Sequence, residues 1–172
     1  MDKINMVWSF LKKILVISII MTTTVYAKNT IHKSNVVDKQ ARPYFLKFQK
    51  HYKKVIKNMT VIVGTIRNKA GEELRNVAGV CFYRARYVII NKRTFRRTKN
   101  MQEAIIFHEL GHCELKRKHS DNKIDAPQFI KNDKCPESLM NSGHTEFDRN
   151  LDRCYNRHKD YYIDELFLRL EK

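Results

Sequence analysis

The first apolar run in the chain is close to unbroken. From Ile14 to Met21 only Ser18 is polar; Lys3, Lys12 and Lys13 precede the run, and the small-residue pattern Val25-Tyr26-Ala27 closes it. A basic start, a short apolar middle and a small-residue end are the three parts of a secretory signal peptide, which predicts cleavage after Ala27. The run is short for a bilayer span, and no cysteine follows the cut to carry a lipid, so a retained anchor is the alternative reading. Further on, the periodicity becomes that of folded elements. After a polar lead-in from Lys28 to Ala41, a helix is predicted from near Pro43, with Phe45, Phe48, Tyr52, Val55 and Ile56 as its apolar stripe against a row of lysines. Thr60 to Ile66, Val77 to Tyr83 and Tyr87 to Asn91 are rich in β-branched and aromatic residues and read as strands. They are separated by Lys69-Ala70-Gly71 and by Arg84-Ala85-Arg86.

The stretch from Met101 to His119 has helical period, but its apolar residues Ile105, Ile106, Phe107, Leu110 and Leu115 cover more than one side, which predicts a helix buried at the middle of its domain. Asn100 and Glu103 have the spacing of a capping box, and Lys116, Arg117 and Lys118 suit the negative end of the helix dipole. A polar segment from Ser120 to Asn150, with Pro127, Pro136 and Gly143, reads as irregular. A last helix is predicted from Leu151 to Leu170, with Leu151, Tyr155, Tyr162 and Leu166 on one face. The order is α+β: an N-terminal helix, a mixed sheet, a central helix and a C-terminal helix.

Composition adds compartment and partner class. Removing 27 residues from 172 leaves 145, Lys28 to Lys172, enough for one domain with a real core. The leader carries a net +2 of the formal +16, so the exported chain carries +14. Such an excess favours anionic partners, envelope polymers among them, and otherwise describes a solvated basic surface. No aromatic-interleaved nucleic-acid motif accompanies it. Cys81, Cys113, Cys135 and Cys154 are an even set in a chain expected to be secreted or periplasmic. They predict disulfides in one of three connectivities, and a bridge at Cys113 would tie the central helix to another element. The domain is expected to act as a monomer.

The candidate chemistry lies in the central helix. His108-Glu109-Leu110-Gly111-His112 is an HExxH sequence, and four residues on a helix set both imidazoles on one face about a turn apart, able to share one zinc ion. Glu109 is then placed to take a proton from a zinc-activated water. His119, seven residues beyond His112, is the nearest candidate for a third ligand, with Asp121, Glu146 or Glu165 as the carboxylate alternatives. His32, His51 and His158 lack ligand spacing, and His144 reads as a loop histidine. Tyr155, Tyr161 and Tyr162 read as core.

From His108 to Asn141 the sequence resembles the metzincin branch of zinc metallopeptidases, whose motif HExxHxxGxxH is followed by a turn with a methionine beneath the metal. Ser138-Leu139-Met140-Asn141 looks like that turn. The chain departs from the motif twice: the third histidine is one residue late, and Glu114, Leu115 and Lys116 occupy the region where a glycine breaks the family's helix. A non-glycine residue must therefore turn left-handed, or the extra residue must loosen the turn. The resemblance implies a zincin-like domain with a twisted mixed sheet, and zinc on His108, His112 and His119 above Met140. It also implies an endopeptidase with Glu109 as base, acting on a peptide or protein laid along an edge strand within Val77 to Asn91. Two other classes remain open: a zinc hydrolase of cell-wall peptide cross-links, and a non-catalytic basic binding protein or toxin stabilised by zinc.

Overall fold

The computed structural model describes residues 31–120, 126–142 and 147–168, and the predicted leader, Met1 to Ala27, lies outside the described residues. Strands β1 (Val36–Val37), β2 (Thr60–Gly64), β3 (Gly79–Phe82) and β4 (Tyr87–Asn91) form one mixed sheet in the order β1-β2-β4-β3. β2 runs parallel to both β1 and β4, and β3 pairs antiparallel with β4 as the edge strand. The β3–β4 turn closes with the Ala85 N–H on the Phe82 carbonyl, and Arg86 takes a φ of 52°.

β1 lies in the segment expected to be a plain lead-in. Two valines carry no strand period of their own. What pairs them is Asn35, whose amide donates to the Ile56 carbonyl at 2.7 Å and accepts from the Met59 N–H at 2.9 Å, drawing β1 alongside β2. Helix α1 (Arg42–Tyr52) starts with Pro43 in its first turn, as expected, but Lys53 turns left-handed (φ 57°) and ends it before the predicted stripe is complete. Val55 is consequently exposed, whereas Ile56, beyond the helix, is buried.

The central helix, α2 (Lys99–Leu115), crosses the sheet and buries residues almost all round. Its Ala104, Ile106, Phe107 and Leu110 share a core with Val61, Val88 and Ile90 of the sheet. On its other side Phe48 of α1 meets Phe107 edge-on with ring centres 5.3 Å apart. The cap differs from the expected one. Thr98 caps the helix by accepting the Met101 N–H at 3.2 Å, whereas Asn100 lies inside the first turn. Glu103 is then too far along to reach back. Its buried carboxylate instead pairs with Lys47 and Lys159, each at 2.9 Å, and accepts the Tyr155 hydroxyl at 3.1 Å.

The segment expected to be irregular contains a short helix, α3 (Gln128–Asn132), and the single C-terminal helix expected from Leu151 is two, α4 (Phe147–Arg157) and α5 (Lys159–Leu168). The break is at His158, whose ring pairs with Asp133 at 2.6 Å while Arg157 reaches the same carboxylate at 3.0 Å. Leu151, Tyr155, Tyr162 and Leu166 all fall in the core, so the expected apolar face survives the break. Both disulfides form: Cys81–Cys113 ties β3 to α2, and Cys135–Cys154 ties the segment after α3 to α4. Among the described residues no helix is long and apolar enough to cross a membrane.

Candidate metal centre

The helical step in α2 brings His108 and His112 together as the sequence predicts, with their Nε2 atoms 3.1 Å apart. The third imidazole arrives because the helix ends abruptly. Lys116 takes the left-handed conformation (φ 55°) with its N–H on the Gly111 carbonyl, and the Arg117 N–H follows onto the same carbonyl at 3.1 Å. Lys116, and not a glycine, thus makes the left-handed break at the end of the helix. The chain turns back and sets the Nε2 of His119 3.1 Å from that of His112 and 3.3 Å from that of His108.

The far side of two rings fixes their proton. Nδ1 of His108 lies 2.8 Å from the Leu139 carbonyl, and Nδ1 of His112 lies 2.6 Å from the Arg117 carbonyl. A carbonyl can only accept, so each Nδ1 carries the hydrogen and each Nε2 is left with a lone pair aimed at the centre of the triangle. Burial holds His112 below the ordinary histidine range; the Arg117 carbonyl opposes this, and nearby His119 and Arg117 add to it. Lone pairs converging this closely can share a cation. A tetrahedral ion bonded to nitrogen at about 2.0–2.1 Å sets its ligands about 3.3 Å apart, so the three separations fit a metal ion. The three histidines can therefore hold a metal.

A cavity of about 840 Å³ at the three imidazoles is lined by the chain from Asn76 to Cys81, by Lys116 to His119 and by Asn141 and Ser142. Glu109 lines it beside the imidazoles, yet is only 5 % exposed. Burial pushes its carboxyl up to about 8. Gly79 on β3 makes room for it: a Cβ there would fall 2.7 Å from Glu109 Oε1 and 2.7 Å from Cγ. Met140 is fully buried beneath α2, packed so close to Gly111 that a Cβ on the glycine would come within 2.7 Å of the methionine sulfur.

Asp121, Glu146 and His144 lie outside the described residues. Glu165, one of the carboxylates considered as a ligand, does not join the cluster; it bonds Arg117 and Ser138 instead. His51 stacks on Phe167, and His32 bonds Ser34. Asp133, Cys135 and His158 also lie close together, but Cys135 is spent in its disulfide and offers no thiolate. The three tyrosines stay away from the cavity: the Tyr155 hydroxyl is on Glu103, that of Tyr161 on the Glu137 carbonyl and that of Tyr162 on the Pro136 carbonyl. Sequence reasoning missed Gly79, and it missed the bonds of Ser138, read only as part of the turn, and of Arg117, read only at the helix dipole. An isolated glycine within a strand is a signal of close approach, and Gly79 could have been found that way; Ser138 and Arg117 carry no such signal.

Comparison of the chain with protein-family profiles, curated proteins and solved structures returns no match.

Proposed function

We propose that the chain is an exported zinc-dependent endopeptidase of zincin-like architecture. The observation that carries this reading is the convergence of three imidazole nitrogens within 3.1–3.3 Å, with a buried carboxylate opening into the same cavity beside an edge strand. Three imidazole nitrogens suit zinc. Zinc bound there would supply a Lewis acid that polarises a carbonyl and acidifies water.

The remaining steps belong to the chain's own residues. With a cation held on the imidazoles Glu109 would ionise, and its carboxylate would accept the proton of the attacking water and then deliver it to the leaving nitrogen. Among the described residues β3 pairs on one side only, so its other edge can take an extended peptide antiparallel and lead it across the imidazoles. Met140 supports the helix from below. A purely structural zinc site is normally closed by a fourth protein ligand, and no fourth His, Cys, Asp or Glu joins the cluster among the described residues, which favours catalysis over a silent binding protein.

The test is hydrolysis of a quenched peptide library by the exported protein after zinc loading. Turnover is expected, with loss on chelation and restoration by zinc. Glu109→Gln should keep its zinc and lose about a hundred- to ten-thousandfold in rate. A glutamine variant as fast as wild type, zinc in place, would refute the mechanism. The net charge, +16 for the whole chain and +14 once the expected leader is removed, favours a second substrate source, the peptide cross-links of an anionic cell wall, and cleavage of isolated wall material but not of free peptides would select it.

A further inference from the structure

Two of the three imidazoles are oriented by backbone carbonyls, those of Leu139 and Arg117, which belong to segments far apart in sequence. Both segments are fastened to one side chain. Glu165 of α5 takes an Arg117 guanidinium nitrogen on Oε1, and its backbone carbonyl takes another at 2.8 Å. Its Oε2 accepts the Ser138 hydroxyl at 2.9 Å, and that hydroxyl oxygen accepts the Met140 N–H at 2.9 Å. The Met140 carbonyl in turn accepts the N–H of Ser120, the residue after His119, at 2.9 Å. Arg117 and Glu165 are sealed from solvent, with side chains 10 % and 7 % exposed. We propose that Glu165 is the positioning residue of the metal centre, a single buried carboxylate that holds in register the carbonyl behind His108, the carbonyl behind His112 and the segment carrying His119.

The physical argument is preorganisation. Three imidazoles bind a metal tightly only if they converge before it arrives, and outer partners that fix ring orientation are typically worth about ten- to hundredfold in affinity. Here the outer partners are main-chain carbonyls, which no substitution removes directly, so control passes to whatever fixes the backbone. A buried ion pair is weak as a source of net stability, but its fork geometry is specific. Glu103 provides the contrast. It sits on the same metal-bearing helix with a side chain 6 % exposed and pairs with Lys47 and Lys159, yet it touches neither carbonyl segment.

This inference rests on the metal reading above but is separable from it. Glu165→Gln, Ser138→Ala and Glu103→Gln would be compared with wild type for melting temperature and for zinc affinity by competition with a chromophoric chelator. The Nδ1–H resonances of His108 and His112 would be followed by NMR in the metal-free proteins. Glu165→Gln should lose about ten- to hundredfold in zinc affinity and its slowly exchanging Nδ1–H signals. Ser138→Ala, which cuts only the Met140 branch, should lose less of both and stay folded if Glu165→Gln does not. Glu103→Gln should melt lower while keeping wild-type affinity and resonances. Unchanged affinity and resonances in both Glu165→Gln and Ser138→Ala would overturn the assignment, as would an equal loss in Glu103→Gln. If wild type takes up no zinc, the metal reading fails, and the imidazole resonances alone still decide whether Glu165 positions the rings.

Discussion

The buried state of Glu109 makes a prediction about metal-free protein that needs no substrate. Its carboxyl is raised by burial from an ordinary 4.5 to about 8. Between those values the folded chain holds a proton that the unfolded chain has released, so stability falls as pH rises through the interval and stops falling above about 8. At about 1.4 kcal/mol per pH unit the whole interval is worth about 5 kcal/mol, and relaxation of the cleft around the charge brings the expected figure to about 2–5 kcal/mol. Glu109→Gln cannot ionise. It should therefore match wild type at pH 4, apart from a constant offset for the changed hydrogen bonding, and exceed it at pH 9.

The assay is thermal unfolding of chelator-treated wild type and variant at both pH values, with disulfides intact. The quantity of interest is the difference between the two differences, in which the offset and every other titrating group cancel. For a domain of this size the expected gap corresponds to about 5–15 °C in favour of glutamine at pH 9. Saturating zinc should shrink or reverse it, because a dication beside the carboxylate stabilises the ionised form and leaves the amide unassisted. A gap that is the same at pH 4 and pH 9 without metal would refute the premise that Glu109 is held in a desolvated position.

His119→Ala should weaken zinc binding by more than the ten- to hundredfold typical of outer-shell losses, and metal analysis at equal free zinc would detect it; full retention would mean that another residue is the third ligand. Gly79→Ala should cut peptide turnover about a hundredfold by displacing the buried Glu109 carboxylate, at some cost in stability because the new Cβ meets Glu109 as far up as its Cγ, while zinc content stays at wild-type level. Replacing Cys81 and Cys113 together by serine opens a bridge across 32 residues and should lower stability by about 3–4 kcal/mol in denaturant unfolding. Mass spectrometry of exported protein should find Lys28 at the amino terminus, and a full-length membrane-held species would refute the leader reading.

What could be read from the sequence was what depends on near neighbours. The strand Tyr87–Asn91, the placing of α1 at Pro43, the apolar faces of α2 and of the last two helices, and the pairing of His108 with His112 all follow from periodicities of two or three to four residues. Errors occurred where a distant residue decides. β1 exists because Asn35 bonds the chain near Ile56 and Met59, and the last helix breaks because Asp133 takes the His158 ring. Glu103 looked like a cap because its spacing from Asn100 is right, but two lysines from other elements compete for the carboxylate, and Thr98 was left to cap.

The turn into His119 shows most plainly how a backbone position that favours glycine can be filled by another residue. A glycine at the end of a metal helix supplies a left-handed turn without steric cost; a lysine there costs about 1–2 kcal/mol, which something nearby must offset. At Lys116 the compensation is visible. Its own N–H and that of Arg117 satisfy the Gly111 carbonyl, the Arg117 carbonyl takes the His112 proton, and the Arg117 side chain is clamped by Glu165. The extra residue therefore does not leave the turn loose: it places Arg117 where both its main chain and its side chain are used. Deleting one residue between Lys116 and His119 should accordingly weaken metal binding, because it would sacrifice the Arg117 contacts that hold the turn.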